Sequence, residues 1–170
     1  GWPAVRVIDA GANLGFARAN NLAIRQSSAE LILLLNSDTI VPAGAIDALV
    51  GALDAHPDVA VVGPRLVDGN GRAELSFGRM IAPVAELRQM MLVRGNDAGS
   101  AAGVRYVERR TRIEQAVDWV SGACLLVRRA DADAVGLLDE RFFMYTEDVD
   151  FCAMIRARGR RILFTPTAEV

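Results

Sequence analysis

The stretch LILLLNSD, from Leu31 to Asp38, decides the fold that the sequence predicts. Five consecutive apolar residues are too few for a buried helix and are typical of a strand covered on both faces. Asn36, Ser37 and Asp38 follow at the carboxyl end of this strand, the edge of an open α/β sheet where ligands bind. A carboxylate at that edge can hold a divalent cation against a phosphate-bearing substrate. Ser37 and Asp38 are also common capping and turn residues, so a purely structural role stays open.

The composition is that of one globular domain. The chain has 170 residues, 52% of them hydrophobic, and a net charge of −2. These values exclude a disordered chain and the strongly basic footprint of a general nucleic-acid-binding protein. Every basic side chain is arginine, which suggests a GC-rich bacterial source. Cys124 and Cys152 lie in apolar surroundings and are predicted to be buried free thiols, as in a reducing cytoplasm.

The remaining residues alternate between predicted strands and helices. Apolar residues at helical spacing predict helices over 16–26, 42–56, 130–135 and 147–158. Short apolar runs predict strands over 5–9, 59–63, 124–127 and 162–165. The segment 66–77, with Asp68-Gly69-Asn70-Gly71 inside it, predicts a small β-hairpin because Gly and Asn accept positive φ. We expect a doubly wound, Rossmann-like α/β fold with a mixed, mainly parallel sheet and flanking helices.

Residues 79–112 differ from the rest of the chain in charge. They contain seven arginines and three acids, a net charge of +4, whereas the other residues sum to −6. Within them, the segment 84–93 places Leu87, Met90 and Met91 on one helical face. One interpretation is a solvated helix and loop. The other is a basic insert on the acceptor side, suited to an anionic or lipid-linked acceptor at a membrane surface.

An acidic pair opens the last predicted helix. Thr146 precedes Glu147 and Asp148, and carboxylates in a first helical turn are stabilised by the helix dipole. The pair can therefore be a structural helix start. It can also supply a carboxylate for proton transfer if it faces a cleft.

The segment VIDAGANLG, from Val7 to Gly15, resembles the glycine-rich first motif of S-adenosylmethionine-dependent methyltransferases. That motif is a strand ending in an acid, followed by a glycine loop beneath the cofactor. The resemblance covers nine residues, and short glycine motifs have many chance matches. It gives a distant alternative for the function.

A second resemblance extends over almost the whole chain. Five blocks occur in order: NLGFARANNLAI, LILLLNSD, PAGAIDALV with HPDVAVVGPRLVDGNG, WVSGACLLVRR and LLDERFFMYTEDVDF. They are similar to the family 2 inverting glycosyltransferases with the GT-A fold, in particular the branch of bacterial rhamnosyltransferases. The resemblance implies a single GT-A domain over residues 1–170. The family's first nucleotide-binding strand would precede Val5, so we expect an N-terminally truncated domain, for which partial folding, dependence on a partner and loss of activity are all open.

The resemblance also implies a catalytic and metal-binding set. Asp38 matches the last acid of the family's Asp-X-Asp metal motif, in which Asn36 is a neutral first residue, so Mg²⁺ or Mn²⁺ would be held by Asp38. Asp148 would be the general base, with Glu147 as its acidic neighbour. A base must take the acceptor proton as the hydroxyl attacks, and positive charge must stabilise the leaving diphosphate.

Further residues of this chain match family positions in two loops. The residues expected near the nucleotide diphosphate are Gly11, Asn13, Gly15, Asn21, Asn36, Ser37 and Asp38. The residues expected on the sugar and acceptor loop are Trp119, Ser121 and Gly122. Glycine turn chemistry and a core position for Trp119 are the structural alternatives. His56, beside Pro57 at a helix end, is interpreted as structural.

The expected activity is transfer of a sugar, with rhamnose as the first candidate, from dTDP-rhamnose or a UDP-sugar to a saccharide or lipid-linked acceptor. Inversion, a role in cell-envelope polysaccharide synthesis, and a cytoplasmic site at the inner face of the plasma membrane are implied with it. A non-catalytic GT-A-like scaffold is the alternative. An open sheet edge would also let two chains pair as a homodimer.

Overall fold

The computed structural model describes residues 5–80, 94–96 and 99–170. Its helices of seven or more residues are α1 (Phe16–Arg25), α2 (Ala45–Ala55), α3 (Ala101–Arg110), α4 (Arg129–Val135) and α5 (Glu147–Ala157). The long strands are β1 (Leu31–Leu35), β2 (Val59–Val67), β7 (Cys124–Arg128) and β8 (Arg161–Glu169). The short strands are β3 (Ala73–Glu74), β4 (Phe77–Gly78), β5 (Gln115–Val117) and β6 (Trp119–Val120).

The main sheet has the strand order β1-β7-β2-β8-β5, with β3 paired to β2. β2 and β8 are parallel neighbours, and β7 runs antiparallel to both β1 and β2. Therefore β1, β2 and β8 share one direction, and β3, β5 and β7 run the other way. The predicted α/β fold with a mixed, mainly parallel sheet and flanking helices is confirmed in this sense.

Two hydrophobic clusters cover the two faces of the sheet. One joins α1, α4 and α5 to the side chains of Leu125 and Val127, and the other joins α2 to Cys124 and Leu126. These four residues alternate along β7 because successive side chains of a strand point to opposite faces. The domain is a three-layer α/β/α arrangement around a sheet whose inner strands are buried on both sides.

β1 is placed differently from the prediction. It lies at the edge of the sheet, and its burial alternates, with Ile32 and Leu34 buried and Leu35 40% exposed. The apolar run predicted a strand covered on both faces. Strand order depends on pairing between distant segments, and β7 occupies the position beside β2 that the run would otherwise suit.

The predicted strand from Val5 to Asp9 is wrong. This segment pairs with no strand in the part of the chain that the structure describes, and Val5 and Val7 are 64% and 86% exposed. The alternation of apolar residues in this segment is compatible with a strand. A strand also needs a neighbour for its backbone N–H and C=O groups, and local sequence does not supply one.

The predicted hairpin is confirmed at its turn. Leu66 pairs with Glu74 and Val67 with Ala73, and one carboxylate oxygen of Asp68 accepts from the N–H groups of both Asn70 and Arg72. These hydrogen bonds, first that of Arg72, lower the pKa of Asp68. The hairpin is shorter than predicted, because Phe77 leaves it and pairs with Val120 in a separate two-stranded sheet.

Helix α1 buries a face that apolar periodicity alone did not identify. Its buried residues are Ala17, Asn21 and Ile24, whereas Ala19 and Ala23 are exposed. The amide of Asn21 donates to the carbonyl of Leu138 (2.8 Å) and accepts from its N–H (3.1 Å). A buried polar side chain is stable when it is hydrogen-bonded in this way. Asn21 therefore joins α1 to the chain that leads into α5.

We expect Asn21→Asp to destabilise the fold by about 3 kcal/mol, because it would place a carboxylate oxygen against the Leu138 carbonyl. The side-chain carboxylate of Glu140, which accepts from the Asn21 amide at 3.0 Å, would add repulsion. Urea unfolding measures the loss. Asn20→Asp is the matched control, since the Asn20 amide makes only a local bond to the Phe16 carbonyl (2.9 Å) and should cost about 1 kcal/mol. Equal losses in the two variants would contradict this role for Asn21.

The described part of the basic segment packs on the domain. Arg110 in α3 lies over the ring of Phe77, with 5.5 Å between its guanidinium carbon and the ring centroid. Glu108 in the same helix pairs with Arg65 of β2 at 2.9 Å. The predicted apolar helix over 84–93 lies outside the described residues, so its role as an acceptor-side lip stays a prediction.

Both cysteines are buried and free, as predicted. Burial raises the pKa of Cys124 to about 11 and that of Cys152 to about 12. Neutral thiols of this kind are packing groups with low reactivity. No helix in the part of the chain that the structure describes is long and apolar enough to cross a membrane.

Candidate active site

Three separate segments meet at one edge of the sheet. The N–H of Asn36, directly after β1, donates to the carbonyl of Ala123 in the loop before β7 (2.9 Å). In that loop, the N–H of Gly122 donates to the carboxylate of Asp148 in α5 (2.8 Å). Because Leu35 pairs with Cys124, the ends of β1 and β7 are held side by side. The segments form an open cleft of about 320 Å³ whose lining includes Asn36, Gly122 and Asp148.

Asp148 is fixed by backbone groups on two sides. One carboxylate oxygen accepts from Gly122, and the other accepts from the N–H of Val149 at 2.8 Å. A Cβ built on Gly122 would lie 3.2 Å from the Phe16 ring and 3.5 Å from the Asp148 Cβ. The absence of a side chain at Gly122 therefore lets the loop approach this carboxylate closely. The structure places Asp148 in the cleft, where a bound hydroxyl could reach it.

The start of α5 differs from the cap that the sequence predicted. Thr146 is the residue before the helix, but its hydroxyl donates to the carbonyl of Tyr145 (2.6 Å) and makes no cap. Both Tyr145 and Thr146 have φ of 70°, in the left-handed region. Non-glycine residues there cost of order 1 to 3 kcal/mol each and tend to occur at functional sites.

Glu147 lines the cleft from a buried position. Its residue is 5% exposed, and its Oε2 atom has no hydrogen-bond partner among the described residues. A buried acceptor of this kind calls for an explanation, such as a ligand group that supplies the missing donor. The geometry is therefore not that of a simple solvated helix start.

Asp38 lies on a turn at the carboxyl end of β1. The carbonyl of Asn36 accepts from the Thr39 N–H (3.4 Å) and the Thr39 hydroxyl (2.7 Å), so Ser37 and Asp38 occupy the exposed corner. Within residues 5–80, 94–96 and 99–170, no three His, Cys, Asp or Glu side chains are grouped to hold a metal ion. The oxygen donors of Asp38 and Asn36 do fit a hard cation that completes its shell with substrate phosphates and water.

The glycine loop is joined to the same cleft through Phe16 and Phe143. The N–H of Phe16 donates to the carbonyl of Phe143 (3.0 Å), and Gly15 has φ of 76° beside that carbonyl. The amide oxygen of Asn13 accepts from the Gly15 N–H (3.0 Å). Gly15 thus allows α1 to start directly against the chain that carries Met144 to Asp148.

We expect Gly15→Ala to destabilise the fold by about 2 to 4 kcal/mol, because a methyl group there would be strained and would clash with the Phe143 carbonyl oxygen. Gly11→Ala is the matched control. Gly11 also has a positive φ, of 70°, but a Cβ there has nothing within 4 Å. Its cost should be about 1 kcal/mol. Urea unfolding of both variants measures the difference, and a Gly11→Ala loss as large as that of Gly15→Ala would contradict the role of the Phe143 contact.

Of the other predicted site residues, some line the cleft and some do not. Ser121 lines the cleft, and its hydroxyl accepts from the Ala123 N–H (3.2 Å). Gly11 and Asn13 are exposed in the loop before α1. Asn21 is fully buried and its amide is used by Leu138, which leaves it no surface for a ligand. Trp119 packs over Gly78 as a partly buried core residue and is not among the residues that line the cleft.

Five lining residues were missed as candidate site residues: Phe16, Ala123, Met144, Tyr145 and Thr146. Met144 and Tyr145 belong to a run of large apolar side chains directly before the acidic pair. Such a run at a helix start, where polar caps are usual, is the signal that could have identified them. Phe16 carried no comparable signal, because its place beneath Gly122 depends on tertiary packing.

Solved structures with the same fold are GT-A glycosyltransferases. A mannosyltransferase from Pyrobaculum calidifontis, determined with GDP-Man and Mn²⁺, matches with a TM-score of 0.53 and 18% identity over 91% of this chain and 35% of that one. GalNAc-T7, determined with UDP, GalNAc and Mn²⁺, matches with a TM-score of 0.60 and 14% identity over 91% of this chain and 30% of that one. At these identities the likeness shows the fold, which is GT-A.

Residues 2–170 match the family described as glycosyltransferase like family 2, and the chain belongs to this family. A curated relative, the N-acetylglucosaminyl-diphospho-decaprenol L-rhamnosyltransferase of Mycobacterium tuberculosis, is 32% identical over 180 aligned residues. The alignment covers 99% of this chain and 59% of the relative. The chain thus spans about three fifths of the length of that enzyme.

The methyltransferase resemblance is not supported. Its motif requires a strand before the glycine loop, and residues 5–9 form none in the described structure. The family match over residues 2–170 includes the same nine residues.

Proposed function

We propose that this domain transfers a sugar, with L-rhamnose as the first candidate, from a nucleotide-diphosphate donor to a saccharide or lipid-linked acceptor. The observation that carries the proposal is the placement of Asp148, fixed by Gly122 in a cleft that Asn36 reaches from the end of β1. The rhamnosyltransferase named among the relatives supports the choice of dTDP-rhamnose, with a UDP-sugar as the other donor. A role in envelope polysaccharide synthesis at the cytoplasmic face of the membrane belongs to the same proposal.

Asp148 is the proposed general base. An inverting transfer requires a carboxylate that accepts the proton of the acceptor hydroxyl while its oxygen attacks the anomeric carbon. Both oxygens of Asp148 are held by backbone N–H groups, which orients the carboxylate before substrate binds. Glu147 lies beside it, buried at the start of the same helix.

Asp38 is the proposed metal ligand, with Asn36 beside it on the turn. These residues would hold Mg²⁺ or Mn²⁺ against the donor's diphosphate, and the charge of the cation would stabilise the leaving group. Mn²⁺ in both solved GT-A relatives supports this assignment. Ser37, Gly11, Asn13 and Gly15 are proposed on the diphosphate side, and Ser121 and Gly122 on the acceptor side.

The remaining parts of the proposal concern regions around the cleft. Residues 79–112 are proposed as the acceptor-side insert, where a basic surface would suit a lipid diphosphate or a membrane surface.

The first test is calorimetric titration with dTDP-rhamnose, dTDP and UDP, each with and without Mn²⁺. It should be done on the 170-residue chain and on the longest natural chain that contains it. Transfer is then followed by mass spectrometry with dTDP-rhamnose and an N-acetylglucosaminyl-diphospho-prenol of short chain length. Metal-dependent binding of one nucleotide, followed by transfer, is the expected result.

A non-catalytic scaffold is the alternative, and the neutral residue Asn36 in the metal motif favours it. The titration separates the two, because a scaffold should bind no nucleotide sugar. A folded longer chain that binds none of the three ligands would overturn the enzyme proposal.

A further inference from the structure

Phe143, Met144 and Tyr145, which we call the aromatic loop, expose large apolar side chains beside the cleft. They are 59%, 51% and 78% exposed, and no other three consecutive residues in the described ranges share this property. Met144 and Tyr145 line the same cleft as Asp148. Exposed apolar groups beside a cleft that holds a few polar groups mark a binding surface.

The backbone of the aromatic loop is held in an unfavourable conformation. Tyr145 and Thr146 both have φ of 70°, directly before Glu147. At the other end, the carbonyl of Phe143 accepts from the Phe16 N–H at 3.0 Å. Two strained residues next to a cleft persist only where the surrounding structure fixes them, and such strain is concentrated at functional sites. Here the strained segment carries the exposed Tyr145 ring at the cleft.

The lining of the cleft limits the chemistry of the ligand. A diphosphate beside Tyr145 would face the carboxylates of Glu147 and Asp148 and be repelled. A hydrocarbon chain would shield the Asp148 carboxylate from water without adding a hydrogen bond to it, which is costly. A neutral ring with one apolar face and a hydroxyl edge avoids both penalties. One of its hydroxyls can donate to the Asp148 carboxylate while its C–H face lies on the aromatic ring.

We propose that Tyr145 is the stacking residue for the acceptor sugar, with a hydroxyl of that sugar directed at Asp148. This inference rests on the proposed function, in which Asp148 takes the proton of the acceptor. Tyr145 lies three residues before that base, whereas the donor's diphosphate is assigned to Asp38 at the end of β1. The acceptor ring, and not the donor sugar, is therefore the group that reaches Tyr145.

Two substitutions separate the effect of the Tyr145 ring from the effect of its backbone conformation. Tyr145→Gly removes the ring and keeps the left-handed conformation without strain, and Tyr145→Phe keeps the ring. We expect Tyr145→Gly to raise the acceptor KM about tenfold, as for the loss of one aromatic contact. In both variants, the Kd for dTDP-rhamnose should stay within about twofold of the wild-type value, which is a difference of about 0.4 kcal/mol in binding free energy. Tyr145→Phe should leave the acceptor KM near that of wild type.

An unchanged acceptor KM in Tyr145→Gly would overturn the proposal, as would an equal loss of donor affinity. If less of that variant than of wild type sediments with anionic vesicles while its acceptor KM is unchanged, Tyr145 contacts a membrane instead. If the wild-type chain transfers no sugar, saturation-transfer NMR with methyl N-acetylglucosaminide tests the site without catalysis. Saturation of aromatic protons should reach the sugar C–H protons in wild type and Tyr145→Phe but not in Tyr145→Gly. An equal signal in all three proteins, or none in wild type, would overturn stacking at Tyr145.

Discussion

Asp148→Asn should lower the rate of sugar transfer by about 10² to 10⁴-fold, the usual contribution of a general base. An amide cannot accept the proton of the acceptor hydroxyl. Donor affinity should change little, because the metal and diphosphate are assigned to the turn at Asp38. The measurement is kcat for transfer together with a calorimetric Kd for the nucleotide.

The substitution has one predictable structural cost. Asp148 accepts from the N–H groups of both Gly122 and Val149, and an asparagine can accept only one of these bonds with its single oxygen. We expect a loss of about 1 kcal/mol in stability, which a thermal melt would detect. Asp150→Asn is the matched control, since Asp150 lies in the first turn of the same helix and is not among the residues that line the cleft. If Asp148→Asn retained more than about a tenth of the wild-type rate, Asp148 would not be the base.

Asp38→Ala should remove the Mn²⁺-dependent part of nucleotide binding. With one carboxylate assigned to the cation, its loss leaves only neutral oxygen donors, and we expect the Kd for dTDP in Mn²⁺ to rise at least about tenfold. Without metal, the Kd should be the same as that of wild type. Calorimetric titrations with and without Mn²⁺ separate the two contributions.

Asn36→Asp tests the same site in the opposite direction. It adds a second carboxylate to the turn and should strengthen Mn²⁺ binding. Asp47→Ala, which removes an exposed acid from the first turn of α2, is the control and should leave both titrations unchanged. If Asp38→Ala bound dTDP in Mn²⁺ as tightly as wild type, the metal assignment would be wrong.

Sequence patterns predicted elements whose signals are local. The Asp68 turn and the helix that follows Thr146 were predicted near their observed positions, because turn-forming residues and acids in a first helical turn act within a few residues. The placement of β1 at a sheet edge was not predictable in this way. It depends on Cys124–Arg128, which lies some ninety residues further along the chain and pairs with β1 along its whole length.

The residues of the candidate site also differ in whether local sequence identifies them. Asn36, Gly122 and Asp148 were singled out by motif, and the structure brings all three to one cleft. Asn21 was placed with the ligand-binding residues because its neighbours in sequence are. Its amide is instead used by Leu138, 117 residues away, and only the tertiary structure shows that pairing. Tyr145 was not among the predicted site residues, although the run of large apolar side chains that contains it is visible in the sequence.

The edge position of β1 has a consequence for handling the protein. Along its outer side, β1 pairs with no strand among the described residues, and the sequence LILLL has neither a charge nor a proline to discourage pairing. Apolar edge strands of this kind recruit strands from other molecules and promote aggregation. Glu30 before the strand and Asp38 after it are the nearest charges that oppose this association. Concentrated samples should therefore be most prone to self-association at high salt, where the repulsion between these charges is screened.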